Sequence, residues 1–283
     1  MGSGRPCCWP SGAQAARRRA REGQGICEQL QHLGAPEDYA AHAAECQQRG
    51  YPAYKIHPYH YFNPATKQPA LPRPSYVDWD IAICEAVRAA VGDEMVLMYD
   101  PWGTYHTYAD AVRVGRELER LGFYWYEQPM PEHRVDNYVK LADELTIPIC
   151  SPEIAEGGIY TRAEWLLRRA SDISRIDVLR GGITGVMKWV GACDAFGVRC
   201  ELHMSGFGNL QVLGATSEDV CEYYERGLEA PGVDCDSPPP YLEAIADPLE
   251  PDGTVPLPQA PGLGYRLRWD YIEEHRLGVG SRQ

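Results

Sequence analysis

The stretch FYWYEQPM, residues 123–130, decides how the rest of the chain is interpreted. Its aromatic residues favour a β-strand, and Pro129 stops the strand because proline cannot donate a ladder hydrogen bond. The carboxylate of Glu127 is therefore predicted to lie at the C-terminal end of a strand. An apolar run followed by a polar side chain recurs on both sides of this stretch.

These recurrences are spaced at steps of 22 to 27 residues. The further apolar runs are MVLMYD ending at Asp100, IPICSPE at Glu153, ISRID at Asp177, VRCELH at His203 and VCEYYE at Glu225, while AYKIHP upstream carries Lys55 and His57. An eightfold βα barrel has a repeat of roughly 30 residues and builds its site from strand ends at one rim. Any one of these residues alone is explained as an ordinary loop side chain. Together, in register, they predict an α/β fold of the TIM-barrel type.

Length and charge exclude several classes of protein. The chain has 283 residues, enough for one large barrel or two ordinary domains, and no apolar run that approaches a membrane span. Its net charge of −13 argues against nucleic acid as a partner, since phosphates would be repelled. An anionic substrate would need a local cation, which a metal ion can supply.

The ten cysteines form no C-x-x-C pair. Several fall within predicted strands or helices: Cys84, Cys150, Cys193, Cys200 and Cys221. We interpret them as small buried apolar groups of a cytoplasmic protein, and a zinc site is disfavoured.

The two ends of the chain differ from its middle. Residues 1–30 are predicted to be a disordered or atypical segment, because residues 1–25 are Arg-rich and patternless and lack the apolar core of a secretory signal. A transit peptide is the alternative, although serine is scarce. Residues 31–250 form the predicted barrel domain. Residues 251–283 are a C-terminal tail in which DGTVPLP predicts a small strand that packs across the barrel.

A long loop is predicted within residues 58–76, which are rich in proline and tyrosine. Long loops on the top face of a barrel commonly cover its site. Residues 59–61, YHY, either contact substrate or pack as an aromatic loop.

Asp100, Glu127 and Glu153 end successive predicted strands. Three carboxylate oxygens suit a Mg²⁺ ion whose remaining coordination positions are open to water and substrate. Zinc prefers histidine or cysteine ligands. Glu156 competes with Glu153 for the third position. We favour Glu153 because it ends the apolar strand.

His203 follows a strand one repeat after Asp177. Neighbouring strand ends can place the carboxylate against one imidazole nitrogen, which fixes the tautomer and makes the histidine a general acid or base. Lys55 and His57 are two residues apart on a strand and share a face. Lys55 could hold a substrate carboxylate, and His57 is a candidate second base.

The segments YKIHP, MYDP, YEQP, SPE, DISRIDVLRGGITG, YYERGL and PGLG resemble the mandelate racemase subgroup of the enolase superfamily over residues 36–270. The resemblance implies a (β/α)7β barrel, a capping domain, and abstraction of a proton next to a carboxylate with an enediolate stabilised by Mg²⁺. It implies metal ligands at Asp100, Glu127 and Glu153. It also implies an Asp177–His203 dyad, and a carboxylic acid at Glu225 that hydrogen-bonds the substrate carboxylate.

Two departures from the family pattern affect the prediction. Lys55 matches the first lysine of the family's K-x-K pair, but His57 stands in place of the second, which weakens the case for two-base racemisation. Neither the capping domain nor the first barrel strand is recognisable in residues 1–30. We therefore expect a barrel that is truncated at its N-terminus.

The predicted function is Mg²⁺-dependent dehydration of a sugar acid, a small-molecule carboxylate, through an enediolate. The alternatives are a racemase or epimerase of a 2-hydroxy acid or related carboxylate, and an inactive barrel that lacks its cap. The resemblance also leads us to expect a homo-oligomer.

Overall fold

The computed structural model describes residues 22–28, 33–58, 62–63, 68–69, 76–204, 206–227 and 237–277. The strands are β1 (Glu22–Glu28), β2 (Ala53–Ile56), β3 (Phe62–Asn63), β4 (Gln68–Pro69), β5 (Val96–Tyr99), β6 (Trp125–Glu127), β7 (Ile149–Cys150), β8 (Ile173–Ile176), β9 (Arg199–Leu202), β10 (Tyr223–Gly227) and β11 (Thr254–Pro256). The helices are α1 (Pro36–Gln48), α2 (Tyr76–Val91), α3 (Tyr108–Arg120), α4 (Val135–Glu144), α5 (Ile159–Arg168), α6 (Val178–Phe196), α7 (Phe207–Gly214) and α8 (Trp269–Glu274).

Eight parallel strands form a nearly closed barrel in the order β10-β1-β2-β5-β6-β7-β8-β9. Helices alternate with the strands along the chain and cover the outside of the sheet. Where the circle closes, the amide of Cys200 in β9 donates to the carbonyl of Val220, three residues before β10 begins, at 2.7 Å. The predicted TIM-type barrel is confirmed.

The expectation that the first barrel strand is missing is wrong. Strand β1 lies between β10 and β2, with Ile26 opposite Glu225 on one side and Ala53 on the other. Its sequence, EGQGICE, has few β-formers, so propensity gave no signal. Packing is tight at Gly25, because a Cβ there would lie 2.9 Å from a Leu249 methyl carbon and 3.3 Å from the carbonyl oxygen of Gly253. Residues 1–21 and 29–32 lie outside the described residues, and the domain boundary at residue 30 stays a prediction.

The tail packs against the barrel as predicted. Strand β11 falls within DGTVPLP and pairs antiparallel with β1, so that Val255 lies opposite Gly23. The turn before it contains Gly253 at a φ of 83°, a conformation that suits glycine. The tail therefore lies against the strand that completes the barrel.

Two layers of apolar side chains follow from the alternation of strand residues. The barrel interior holds Ile26, Ala53, Met98, Trp125, Cys150, Ile173 and Tyr223. Their neighbours in sequence point outward and pack under the helices; Tyr54, Leu97 and Tyr126 are examples. The five cysteines placed in elements by the sequence are all buried, as predicted.

The predicted loop between β2 and α2 contains the short antiparallel pair β3 and β4. Residues 59–61, proposed as substrate contacts or a packed aromatic loop, lie outside the described residues. No helix in the described part of the chain is long and apolar enough to cross a membrane.

Candidate active site

The polar strand ends meet inside the C-terminal mouth of the barrel. Asp100, Asp177 and His203 directly follow β5, β8 and β9, and Glu153 lies just beyond β7. Lys55 and Glu225 lie within β2 and β10 rather than at their ends, and their side chains point into the barrel. Parallel strands place these groups at one edge because their carboxyl ends share a direction.

Asp100, Glu127 and Glu153 form a cluster of buried carboxylates. Each offers an oxygen within 4.8 Å of the others' oxygens, so the three could share one cation. Glu153 Oε2 is buried and accepts no hydrogen bond from the described residues. Glu156, the competing ligand, is exposed. The structure thus brings together the three carboxylates chosen from the sequence.

The electrostatics of this cluster favour a cation. Burial and the nearby charge of Glu127 raise the pKa of Asp100, and burial also raises the pKa of Glu153. Hard, closely spaced oxygen donors match Mg²⁺ in chemical type.

Each ligand is held by its own neighbours. Glu127 receives the Trp125 indole N–H at 3.0 Å and lies 2.7 Å from Arg175 Nε. Asp100 Oδ1 accepts the amide of Trp102 at 2.8 Å. The amide of Glu153 donates to the buried carboxylate of Glu132. These contacts orient the carboxylates before any ion binds.

Lys55 is the central cation of the mouth. Its Nζ lies 2.5 Å from Glu225, 3.1 Å from Glu28 and 3.3 Å from Glu127, with Asp100 at 3.8 Å. Although burial opposes it, the surrounding carboxylates raise the pKa of Lys55 well above its ordinary value. Lys55 is therefore a fixed positive charge in this arrangement.

His203 and Asp177 form the hydrogen-bonded pair that the sequence suggested. His203 Nδ1 donates to Asp177 Oδ2 at 3.0 Å, while Nε2 faces Glu153 Oε1 at 3.2 Å. Burial favours the neutral ring, but the Asp177 hydrogen bond and the Glu153 charge outweigh it and raise the pKa of His203. Burial also opposes ionisation of Asp177, yet hydrogen bonds from His203 and Arg180 lower its pKa.

His57 and Glu225 lie close to the cluster, where burial and the nearby charges shift the pKa of each side chain. His57 Nε2 lies 3.5 Å from Asp100, and burial together with the charge of Lys55 lowers the pKa of His57 to about 3. So weak a base is a poor proton acceptor. Glu225 contacts Lys55 and Arg175 at 2.5 Å each, and these cations overcome burial and lower its pKa. These contacts favour the ionised form of Glu225, and the carboxylic acid that the resemblance implied at this position stays a prediction.

Sequence reasoning missed four residues of the site. They are Glu28, Glu132, Arg175 and Arg180. Arg175 had a usable signal, because it precedes Asp177 by two residues in a strand and therefore points into the same barrel. Arg180 is one helical turn from Asp177, which its guanidinium contacts at 2.8 Å. Glu28 and Glu132 had no local signal.

The sequence pattern of the enolase C-terminal domain-like family matches residues 38–271. The chain belongs to this family. Arabinonate dehydratase of Saccharolobus solfataricus is 31% identical over 207 residues, covering 70% of this chain and 52% of that protein. D-galactarolactone cycloisomerase of Agrobacterium fabrum is 30% identical over 210 residues, which cover 71% of this chain and 54% of that protein.

A solved relative has the same architecture. The structure of D-glucarate dehydratase from Agrobacterium tumefaciens, complexed with magnesium, superposes with a TM-score of 0.83 at 35% identity. That match covers 94% of this chain and 68% of the other. The chain spans about half the length of the curated relatives it matches. The residues that match the family pattern, 38–271, contain seven of the eight strands of the barrel.

Proposed function

We propose that this barrel carries out Mg²⁺-dependent dehydration of a sugar acid. The observation that carries the proposal is the cluster of three buried carboxylates beside the Asp177–His203 pair. The distance from His203 Nε2 to Glu153 Oε1 is 3.2 Å. A hydrogen-bonded base next to a cation site suits removal of a proton next to a carboxylate. Similarity to relatives named as sugar acid dehydratases supports the choice of reaction.

Asp100, Glu127 and Glu153 would hold the Mg²⁺. When bound, the ion supplies positive charge next to the substrate carboxylate, where negative charge develops. Lys55 and Arg175 add fixed positive charge on the side of Glu127 and Glu225. The mouth thus favours a small anionic substrate despite the net charge of −13.

His203 acts as base and then as acid in the proposed reaction. With Nδ1 held by Asp177, its Nε2 takes the proton from the carbon next to the carboxylate. The electron pair forms a carbon–carbon double bond as the neighbouring C–O bond breaks. The departing hydroxyl receives a proton from His203 and leaves as water. The resulting enol gains a proton at C3 and loses its hydroxyl proton at C2, and so becomes a 2-keto-3-deoxy acid.

A panel of sugar acids tests the proposal. The purified chain is incubated with each acid and Mg²⁺, and the 2-keto product is measured by derivatisation with semicarbazide. We expect product with at least one acid, none after chelation with EDTA, and none with the matching 3-deoxy acid. Absence of product from every acid, with Mg²⁺ bound, contradicts the proposal and favours the inactive barrel.

Racemisation or epimerisation is the second candidate. It is supported by a relative that is named as an N-succinylamino acid racemase. It needs a second base opposite His203, for which Lys55 and His57 are the candidates. The carboxylates around Lys55 and the low pKa of His57 disfavour both. Solvent deuterium entering either epimer without loss of water would favour this alternative.

We also propose that the protein acts in the cytoplasm. Its partner in this proposal is a small-molecule carboxylate, the substrate. A homo-oligomer stays a prediction, which sedimentation velocity can measure directly.

A further inference from the structure

A second cluster of reactive side chains lies outside the barrel mouth, between β1 and α1. Cys27 points outward from β1 and meets Cys46 of α1, with 2.9 Å between the two sulfur atoms. His42, one helical turn before Cys46, places Nε2 at 3.9 Å from the Cys46 sulfur. The other ring nitrogen of His42 is hydrogen-bonded to the Tyr54 hydroxyl at 2.9 Å. All three side chains are buried.

The distances argue against a shared metal ion in this cluster. Two thiolates bound to one tetrahedral zinc ion would have their sulfur atoms about 3.8 Å apart, given zinc–sulfur bonds of about 2.3 Å. The observed sulfur separation is 2.9 Å. A structural zinc ion also needs four ligands, and the described residues supply three donors here.

The two thiols differ in reactivity. Hydrogen bonds with Cys27 and with His42 outweigh burial and lower the pKa of Cys46 to about 6. Burial instead raises the pKa of Cys27. Cys46 is therefore the thiolate that would attack first, and Cys27 the thiol that would resolve the intermediate.

We propose that Cys27 and Cys46 form a reversible disulfide that links β1 to α1. The oxidant is a small-molecule disulfide such as oxidised glutathione. The Cys46 thiolate attacks one of its sulfur atoms, expels one thiolate and forms a mixed disulfide. The Cys27 thiolate then attacks the Cys46 sulfur and expels the second thiolate. The protein loses two protons and two electrons, and the small disulfide is reduced to two thiols.

The cross-link would act on the strand that completes the barrel. Cys27 directly precedes Glu28, whose carboxylate lies 3.1 Å from Lys55 in the mouth. Because Cys46 is buried, exchange requires α1 to open or the chain to be folding. In a reducing cytoplasm such a bond would be the reversible, redox-responsive kind rather than a permanent one.

Thiol mapping tests the proposal on the full chain. The protein is equilibrated in glutathione buffers from reducing to oxidising, quenched in acid, alkylated under denaturing conditions and digested. We expect a peptide pair joined through Cys27 and Cys46, two hydrogens lighter than the free pair, which reappears as two alkylated peptides after reduction. Oxidation should raise Tm by about 5 °C or more, since it closes a loop between two cysteines that are 19 positions apart.

Two variants separate this bond from general effects of thiol oxidation. Cys46→Ser should lose both the joined peptides and the redox-dependent rise in Tm. Cys84→Ser, a buried cysteine of α2, should keep both. Recovery of Cys27 and Cys46 as free thiols under the most oxidising buffer overturns the proposal. So does a bond between any other pair, or one equivalent of zinc or copper that is lost in Cys46→Ser.

Discussion

At the residue level, Lys55 and Arg175 allow several carboxylates to share one buried space. Glu127 and Glu225 each contact both cations, at distances from 2.5 to 3.3 Å. Removing one partner of a buried ion pair typically costs about 3–5 kcal/mol, because the other charge is left uncompensated. The cations are thus structural requirements of the mouth as well as candidate substrate contacts.

His203 is the residue on which the proposed chemistry depends. Replacing it with asparagine keeps a polar side chain but removes the proton acceptor. We expect His203→Asn to reduce exchange of the substrate's α-proton with solvent deuterium by about 10²-fold or more, measured by NMR on a substrate found in the panel. His106→Asn, an exposed histidine before α3, serves as the matched control. Exchange retained in His203→Asn would show that another group is the base.

Glu201 gives a pH-dependent prediction away from the proposed metal ligands. Its buried carboxyl accepts the amides of Glu222 and Tyr223 at 3.2 and 3.0 Å, yet burial raises its pKa from 4.5 to about 7. Because folding raises this pKa, the protonated carboxyl stabilises the folded state. That contribution to the free energy of unfolding is fully present below pH 4.5 and is lost as pH rises through about 7.

Glu201→Gln should therefore gain stability relative to the wild type between pH 5 and pH 8, by up to about 3 kcal/mol. Urea unfolding at each pH measures the difference. Glu218→Gln, an exposed carboxylate, controls for the loss of one negative charge. If the free energy of unfolding differs between Glu201→Gln and wild type by the same amount at pH 5 and at pH 8, the burial argument is contradicted.

At the level of elements, the sequence predicted those strands and helices whose own residues carry the signal. Runs such as MVLMYD and FYWYEQ are apolar and rich in β-formers, and α3 begins after Thr107, whose hydroxyl accepts the amide of Asp110. Strand β1 lacked such a signal. Its Gly25 fits closely against Leu249 and the carbonyl of Gly253, which lie more than 200 positions away in the sequence.

Strand β1 can be tested by paired substitutions. Ile26 is fully buried in the barrel interior, whereas Gln24 on the same strand is exposed. Ile26→Ala should lower the free energy of unfolding by about 2–4 kcal/mol, because it leaves a cavity. Gln24→Ala should change it by less than about 0.5 kcal/mol. Equal, small effects in chemical denaturation would mean that β1 does not complete the barrel.

For the whole molecule, topology explains which site residues could be predicted. Once the chain is recognised as a parallel barrel, every polar strand end is placed at one rim, and Asp100, Glu127 and Glu153 converge without further information. Residues that enter the mouth through charge pairing without a local signal, such as Glu28 beside Lys55, become visible only when the strands are assembled. Glu132 reaches the site from a loop, through the amide of Glu153, and no spacing rule places it.

The net charge of −13 and the convergent carboxylates together predict stabilisation by a divalent cation. An ion that binds only the folded state adds about 2.7 kcal/mol when its concentration is 100 times its Kd. For a chain of this size, that corresponds to a rise in Tm of roughly 5–10 °C. We expect Mg²⁺ to cause this rise in Tm, which calorimetry measures.

Glu153→Gln should abolish most of the rise in Tm with Mg²⁺, because the ion loses one of its three carboxylates. Glu156→Gln removes the same charge three residues away at an exposed position and should keep the full effect. The reverse result would place the cation at the exposed Glu156 rather than in the barrel mouth.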